Sequence, residues 1–418
     1  MKLSSECLNL INDAERALAD VFNELSGIAL NNQQKMLEAF QSERIRTHHF
    51  QSSTGYGYHD IGRDALEKVF SRVFQAESAL VRQQLVSGTH AIACALLGNL
   101  RYDQELILAS GSPYETLLGV LGIPVDCDQA ISETGGFSVK IIPLTTNGYL
   151  DIPKITAAIT QKTKIIAFQR SCGYSERHSF SIAELKAAFH RIKTIRPDII
   201  IFVDNCYGEF VEDNEPLEVG ADLIAGSLIK NPGGCLIPSG GYIAGRSSFV
   251  EKSAERLYAP KIGGEIGPSL LNLQLFFQGF FEAPHRVSEM VKGAVLAAQL
   301  FRELGLKVSP LPEEKRADII QKIYFESAPD LIEFCRLIQQ NSPIESDVYP
   351  EPALLPGYVH RVIMGGGTFV SGATSELSVD APIKSPYIAF LQGGLSYTQI
   401  KMVLARVIEQ RFLSSNHP

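Results

Sequence analysis

Near the start of the chain, apolar residues recur at three- and four-residue spacing: Leu8, Ile11, Ala14, Leu18, Val21, Phe22 and Leu25. This spacing predicts helices over 5–25 and 31–46. From about residue 60 to 245 the pattern alternates amphipathic stretches with short runs that are apolar almost throughout. It predicts helices at 63–76, 89–99, 114–122, 151–161 and 181–195, and strands at 78–82, 105–109, 138–143, 164–169, 199–203, 222–226 and 241–245. Strands with no polar face are buried on both sides. Helices must therefore cover both faces of a large, mostly parallel sheet of seven strands, an α/β arrangement. Further helices are expected at 246–258, 267–282 and 284–305. Beyond 306 the pattern is α+β, with strands near 318–324 and 359–364 around a helix at 329–341, and a last helix at 396–413. Pro343, Pro350, Pro352 and Pro356 mark 343–356 as a loop. Three parts are expected: an N-terminal helical segment over 1–50, a large α/β domain over 51–290, and a smaller α+β C-terminal domain over 291–418.

The formal charge of −8 argues against nucleic acid or an anionic membrane as a partner. An anionic ligand must then be held by local groups. Seven scattered cysteines form no CxxC pair, which fits reduced thiols and a cytoplasmic location. Acids near the N-terminus, where a signal peptide has its apolar core, argue against secretion, and no run of about 18 apolar residues predicts a membrane span. His48, His49 and His178 lack the spacing of metal ligands, so no metal is expected.

Candidate chemistry concentrates in 199–234. The β-branched run IIIFVD ends in Asp204, and DLIAGS leads into Ser227-Leu-Ile-Lys230 and then Gly233-Gly234. A carboxylate and a lysine at the ends of two buried strands suit pyridoxal 5′-phosphate. This cofactor needs an amine for its Schiff base and an acid partner for its ring nitrogen. Burial lowers a lysine's pKa toward the neutral amine. Taken singly, Lys230 also fits a strand-end charge, and Asp204 a carboxylate paired with an arginine or a helix N-terminus. Ser-x-x-Lys is also a penicillin-binding-protein motif, but the companion motifs are missing. Val86-Ser87-Gly88-Thr89-His90-Ala91 lies at a strand-to-helix junction. Exposed N–H groups there attract a phosphate, and Gly88 permits close approach; Ser87 also fits a plain N-cap. GxxxxGK[ST] and GxGxxG spacings are absent, which argues against a P-loop and a nicotinamide enzyme. Cys206 carries no mark of a reactive thiolate.

The ordered strings SGTHA, PYET, VDNCYGEF and SLIKNPGG resemble those of the aspartate-aminotransferase-like fold-type I enzymes that use pyridoxal phosphate. Within them, the chain most resembles the Cys/Met-metabolism lyases and their methionine γ-lyase-related group, often called aluminium-resistance proteins and associated with cystathionine β-lyase activity. The resemblance covers nearly the whole chain. It implies cofactor binding by Ser87, Gly88, Thr89, Tyr114, Asp204, Ser227 and Lys230. Ser227 matches a serine that touches the phosphate, although a strand-end serine bonded to backbone fits equally. Tyr114 matches a tyrosine that stacks on the ring and acts as an acid toward the leaving group. The loop 53–64 matches one that enters a neighbouring subunit's site. There Tyr58 is the best match for a phosphate-contacting tyrosine and Tyr56 the second candidate. Asp60 stands where the related lyases have an arginine, which leaves Arg63 as a substitute. A C-terminal arginine is implied for the substrate carboxylate, and Arg361 is the one candidate in 357–394, followed by Lys384. GGGTF at 365–369 is read as a turn or part of the pocket floor. The implied reaction is β- or γ-elimination of a thiol from a sulfur amino acid by a homodimer or homotetramer. Lys230 abstracts the α-proton and Asp204 keeps the ring an electron sink. Two alternatives stay open: another reaction on the same cofactor (aminotransferase, racemase or aldolase), and a stress-response protein of this fold with little turnover.

Overall fold

The structure is a computed structural model that describes residues 3–54, 56–124, 127–133, 135–355 and 358–413. Gly55, Pro356 and Gly357, from segments read above, lie outside them. Two helices open the chain, α1 (Ser5–Ala17) and α2 (Ala19–Ser42). The break falls at Leu18, whose N–H bonds the carbonyls of Ala14 and Glu15, and not in the expected gap after 25. Gly27 sits exposed inside α2. A helical glycine costs only about 1 kcal/mol, too little to part a helix that packs along its length on another.

The large sheet has β1 (Ser78–Arg82), β2 (Glu105–Leu108), β3 (Gln129–Ile131), β4 (Ser138–Ile141), β5 (Thr163–Gln169), β6 (Ile200–Asp204), β7 (Leu223–Ser227) and β8 (Gly241–Gly245). Their order is β1-β8-β7-β6-β5-β2-β4-β3. The central run β7-β6-β5-β2-β4 is parallel, while β8 and β3 run antiparallel to their neighbours. The mostly parallel character matches the expectation. The count is eight among the described residues, not seven, because the three-residue edge strand β3 is too short to leave a pattern. Along β6, Ile200 and Phe202 join one apolar core, and Ile201 and Val203 the other. Alternate side chains enter opposite faces, so a strand covered on both sides needs an unbroken apolar run.

Helices α3 (Ile61–Val73), α4 (Gly88–Asn99), α5 (Glu115–Leu121), α6 (Ile152–Ala157), α7 (Ile182–Ile195) and α8 (Ser247–Leu257) complete this half. A single helix, α9 (Leu273–Glu303), then runs to the smaller sheet, where two helices were expected. Pro284 lies inside it and removes one backbone donor, but the buried face on either side of the proline is continuous. The expected boundary between the two domains, 290/291, falls within α9. The smaller sheet is antiparallel, in the order β11 (Val362–Gly365), β12 (Ser378–Pro382), β13 (Tyr387–Gln392), β10 (Gln321–Phe325), β9 (Val308–Ser309). Helices α10 (Ala328–Gln340) and α11 (Tyr397–Ile408) accompany it. Strands β9, β12 and β13 were not expected from the pattern. No described helix is long and apolar enough to cross a membrane.

Candidate active site

The carboxyl ends of parallel strands collect the side chains that cap them. Asp204 closes β6 and Ser227 closes β7, and Lys230 follows one turn later. That turn is tightly held. A Cβ on Gly233 would lie 1.8 Å from the carbonyl oxygen of Leu228, and one on Gly234 (φ 55°) 2.1 Å from that of Gly279 in α9. The two glycines thus serve close packing of the Lys230 turn against its own chain. Ser375, from the C-terminal third, donates its hydroxyl to the Ile229 carbonyl at 3.1 Å.

A cavity of about 260 Å³ opens here and is lined by Ser87, Gly88, Thr89, Tyr114, Asp204, Ser227 and Lys230. Ser87 is the N-cap of α4, accepting from the His90 N–H at 3.1 Å, so the capping role is realised at a residue that also faces the cavity. A Cβ on Gly88 would come within 3.1 Å of Ser227 Cβ and 3.3 Å of Cys206 Sγ, so the first turn of α4 lies directly over the floor. Thr89 Oγ1 and the Tyr114 hydroxyl are 3.3 Å apart.

Asp204 is buried, accepts the Cys206 N–H at 3.1 Å, and has no cation within ion-pair distance among the described residues. Burial raises its pKa, opposed by Lys230 and by the Cys206 N–H. Burial also disfavours the Lys230 ammonium, as expected, but Cys206, Tyr207, Asp204 and Tyr114 crowd the amine and outweigh it. Its pKa therefore stands above the ordinary value. This corrects the expectation of a lysine made neutral by burial alone, since the groups around the amine come from separate stretches of the chain and meet only in the fold. Burial, and then the Asp204 charge, push the Tyr114 phenol up, so it stays protonated. Burial and Asp204 likewise keep Cys206 a thiol.

Several lining residues escaped the sequence reading. Lys230 Nζ lies 4.1 Å from the ring centroid of Tyr207, a cation–π contact. Tyr207 directly follows Cys206 and was within reach of the motif. Tyr174, Tyr358 and Gln392 also line the cavity. They come from loops and a strand end with no matching string. A second cavity of about 160 Å³ shares Tyr114, Gln169, Tyr174 and Tyr358 with the first and adds Arg177, His360 and Lys384.

Other expected residues lie elsewhere. Arg361 is exposed and lines neither cavity. Its neighbour Val362, which begins β11, lines the second, and alternation along the strand turns Arg361 the other way. Tyr58 and Tyr56 are 58% and 72% exposed, ring centroids 5.8 Å apart, and neither lines the cavity within this chain. Arg63 is not available as a phosphate ligand. Its buried guanidinium bonds the Gly57 and Gly267 carbonyls at 2.9 and 3.0 Å, and Asp60 caps α3. Gly365–Phe369 lines neither cavity.

The family model for methionine gamma-lyase matches residues 7–412. A Clostridium novyi structure of a carbon–sulfur lyase involved in aluminium resistance is similar at 43% identity, over 98% of this chain and 96% of that one, with a TM-score of 0.92. A Listeria monocytogenes structure, described as a candidate cystathionine beta-lyase involved in aluminium resistance, is 45% identical over 96% of this chain and 99% of that one (TM-score 0.93). The uncharacterized Bacillus subtilis protein YnbB is 44% identical over 397 residues, 95% of this chain and 94% of its own.

Proposed function

We propose that this chain, which belongs to the methionine gamma-lyase family, is a pyridoxal-phosphate-dependent carbon–sulfur lyase acting on a sulfur-containing amino acid through Lys230. The observation that carries the reading is one cavity in which the first turn of α4, Tyr114, Asp204 and Lys230 meet. The residues present fit the cofactor. At one end are the α4 N-terminus and the hydroxyls of Ser87 and Ser227, which suit a phosphate. At the floor is a buried carboxylate without a cation, which suits a protonated ring nitrogen. Lys230 lines the same cavity.

When bound, the cofactor supplies an aldehyde carbon for amines and a ring that draws electron density from the substrate α-carbon. The chain's own groups do the rest. The N–H groups of the first α4 turn, with Ser87, Thr89 and Ser227, hold the phosphate. Asp204 holds a proton on the ring nitrogen. Lys230 Nζ, in its neutral amine form once the cofactor has released it to the substrate's amino group, takes the proton from the substrate α-carbon, and the Tyr114 phenol, protonated at neutral pH, lies on the cavity wall as donor to the departing sulfur. Cys206 remains a neutral neighbour.

The test is purified protein offered cystathionine, methionine, homocysteine and cysteine, scoring keto acid, ammonia and thiol with no keto-acid co-substrate. Release of all three from at least one of these is expected, along with a borohydride-fixed cofactor mass on Lys230. Keto acid formed only when a second keto acid is added makes the protein an aminotransferase. A Lys230→Ala protein that still traps the cofactor overturns the lysine assignment.

A further inference from the structure

Among the described residues, the side-chain amine of Lys230 has no hydrogen-bond or ion-pair partner. What it meets is the ring of Tyr207, whose centroid lies 4.1 Å from Nζ. Tyr207 lines the same cavity. Burial pushes its phenol above the ordinary value, against the pull of Lys230, so the hydroxyl keeps its proton. The contact is therefore one between an ammonium and the face of a neutral ring, not an ion pair.

The backbone that carries this ring is held in an uncommon conformation. The Gly208 N–H donates to the Asn205 carbonyl at 2.9 Å and closes a turn over 205–208. Tyr207 is its third residue, with φ 69°. Glycine or asparagine is the ordinary occupant of such a position, and a bulky side chain there is strained. Packing keeps the turn in place. A Cβ on Gly208 would lie 2.5 Å from Arg170 Cδ, and Arg170 is itself buried and paired with Glu212 and Glu215. Strain of this kind persists where the surroundings over-determine it, and it gathers at working sites. Here it accompanies an aromatic face set against the Lys230 amine.

Lys230 changes charge during the proposed reaction. Its amine is neutral before it takes the α-proton and an ammonium afterwards. An aromatic face attracts the ammonium and is nearly indifferent to the amine, so it favours the second state over the first. Resting on the assignment of Lys230 as the base under the proposed function, we infer that Tyr207 is a catalytic residue whose ring face stabilises Lys230 in the form that holds the substrate α-proton. The proton passes from the α-carbon to Nζ and the bonding pair stays with the substrate, so no oxidant or co-reactant is needed. The ring, not the hydroxyl, is the working part.

The test grades the ring face at nearly constant volume. Phenylalanine and its mono-, tri- and pentafluorinated forms are introduced at position 207, since each fluorine weakens the negative face, and Tyr207→Leu removes the face altogether. The first readout needs no catalysis. It is trace acetylation of Lys230 in the cofactor-free, full-length chain, followed by peptide mass against pH. Tyr207→Phe should keep the wild-type midpoint. Through the fluorinated series the midpoint should fall stepwise, by about one pH unit at the pentafluoro form and in Tyr207→Leu. The second readout is exchange of the α-hydrogen in deuterated water by the cofactor-loaded protein. It should slow in the same order, by about tenfold at the end of the series. Equal midpoints across the series overturn the inference, and so do midpoints that move while exchange does not. Tyr207→Phe as impaired as Tyr207→Leu would assign the hydroxyl instead and overturn it too. Melting temperatures that stay level across the fluorinated forms exclude a packing cause, whether or not Tyr207→Leu folds. Graded exchange with no thiol released from any sulfur amino acid would sink the lyase reading and leave this inference standing. Thiol release with a flat series would do the reverse.

Discussion

The two walls of the inner cavity are built differently. The wall from the large sheet consists of residues at strand ends and first turns: Ser87, Gly88, Thr89, Asp204, Ser227 and Lys230. Each sits where a parallel strand must stop, and each belongs to a short string. The opposing wall is assembled from distant pieces. Tyr174 follows β5, Tyr358 precedes β11 and Gln392 ends β13, with Asp380 of β12 behind. The first wall carries groups able to move protons. The second carries aromatic rings and an amide, which recognise shape and hydrogen bonds. We propose that reactivity and selectivity are drawn from these separate parts of the chain, so that a substitution on one wall should disturb one and spare the other.

The largest effect expected from a change that keeps the wall's shape is at Asp204. Asp204→Asn should retain some cofactor but slow exchange of the substrate α-hydrogen in deuterated water by on the order of 10²-fold or more, because several kcal/mol of carbanion stabilisation depend on the ring charge. Near-wild-type exchange would remove Asp204 from the chemistry and leave the large-sheet wall a binding surface only.

A smaller effect tests whether the cavity has a third wall. Tyr56 and Tyr58 are largely exposed in the single chain. We propose that the active unit is a homodimer or homotetramer in which this loop completes the site of a second copy, two-fold association being the commonest arrangement. Inactive Tyr58→Ala and Lys230→Ala proteins, dissociated and reassociated together, should recover part of the activity, since one site of each mixed dimer has both residues intact. Verified mixed dimers with no recovery, or an active monomer, would confine the site to the two walls described.

The smallest effect concerns stability. Glu209, buried beneath the Lys230 side, accepts the Tyr242 hydroxyl at 2.8 Å. Burial raises its pKa from 4.5 to about 8, partly offset by its backbone N–H and by that hydroxyl. A folded-state value above the unfolded one means stability that is fully present below about pH 4.5 and lost as pH rises toward 8. The slope is at most about 1.4 kcal/mol per pH unit. Glu209→Gln should flatten the fall of Tm between pH 5 and 8 relative to wild type. Parallel profiles would show that Glu209 ionises as an ordinary carboxylate and that the packing around it is wetter than its burial indicates.

What the sequence determined follows from local rules. Strands covered on both faces require unbroken apolar runs, and the runs at 199–203 and 222–226 foretold β6 and β7 within one residue. A parallel strand end also exposes its last residue to the ligand crevice, so Asp204, Ser227 and Lys230 were readable before any folding. Local rules ran out where long-range packing overrode them. Pro284 did not end a helix buried on both sides of it, and Leu18, not Gly27, parted α1 from α2. Strands β12 and β13 and their Asp380–Gln392 pair were missed because no short string marks them, and their meaning lies in which face they share. Arg361 was the only arginine in its stretch, yet it lines neither cavity, while Arg177, from the segment after β5, came to line the second. The raised pKa of Lys230 was decided by the acids gathered around it. Motif and period are properties of neighbours along the chain. Charge environment and selectivity depend on neighbours in space, and only the tertiary structure chooses those.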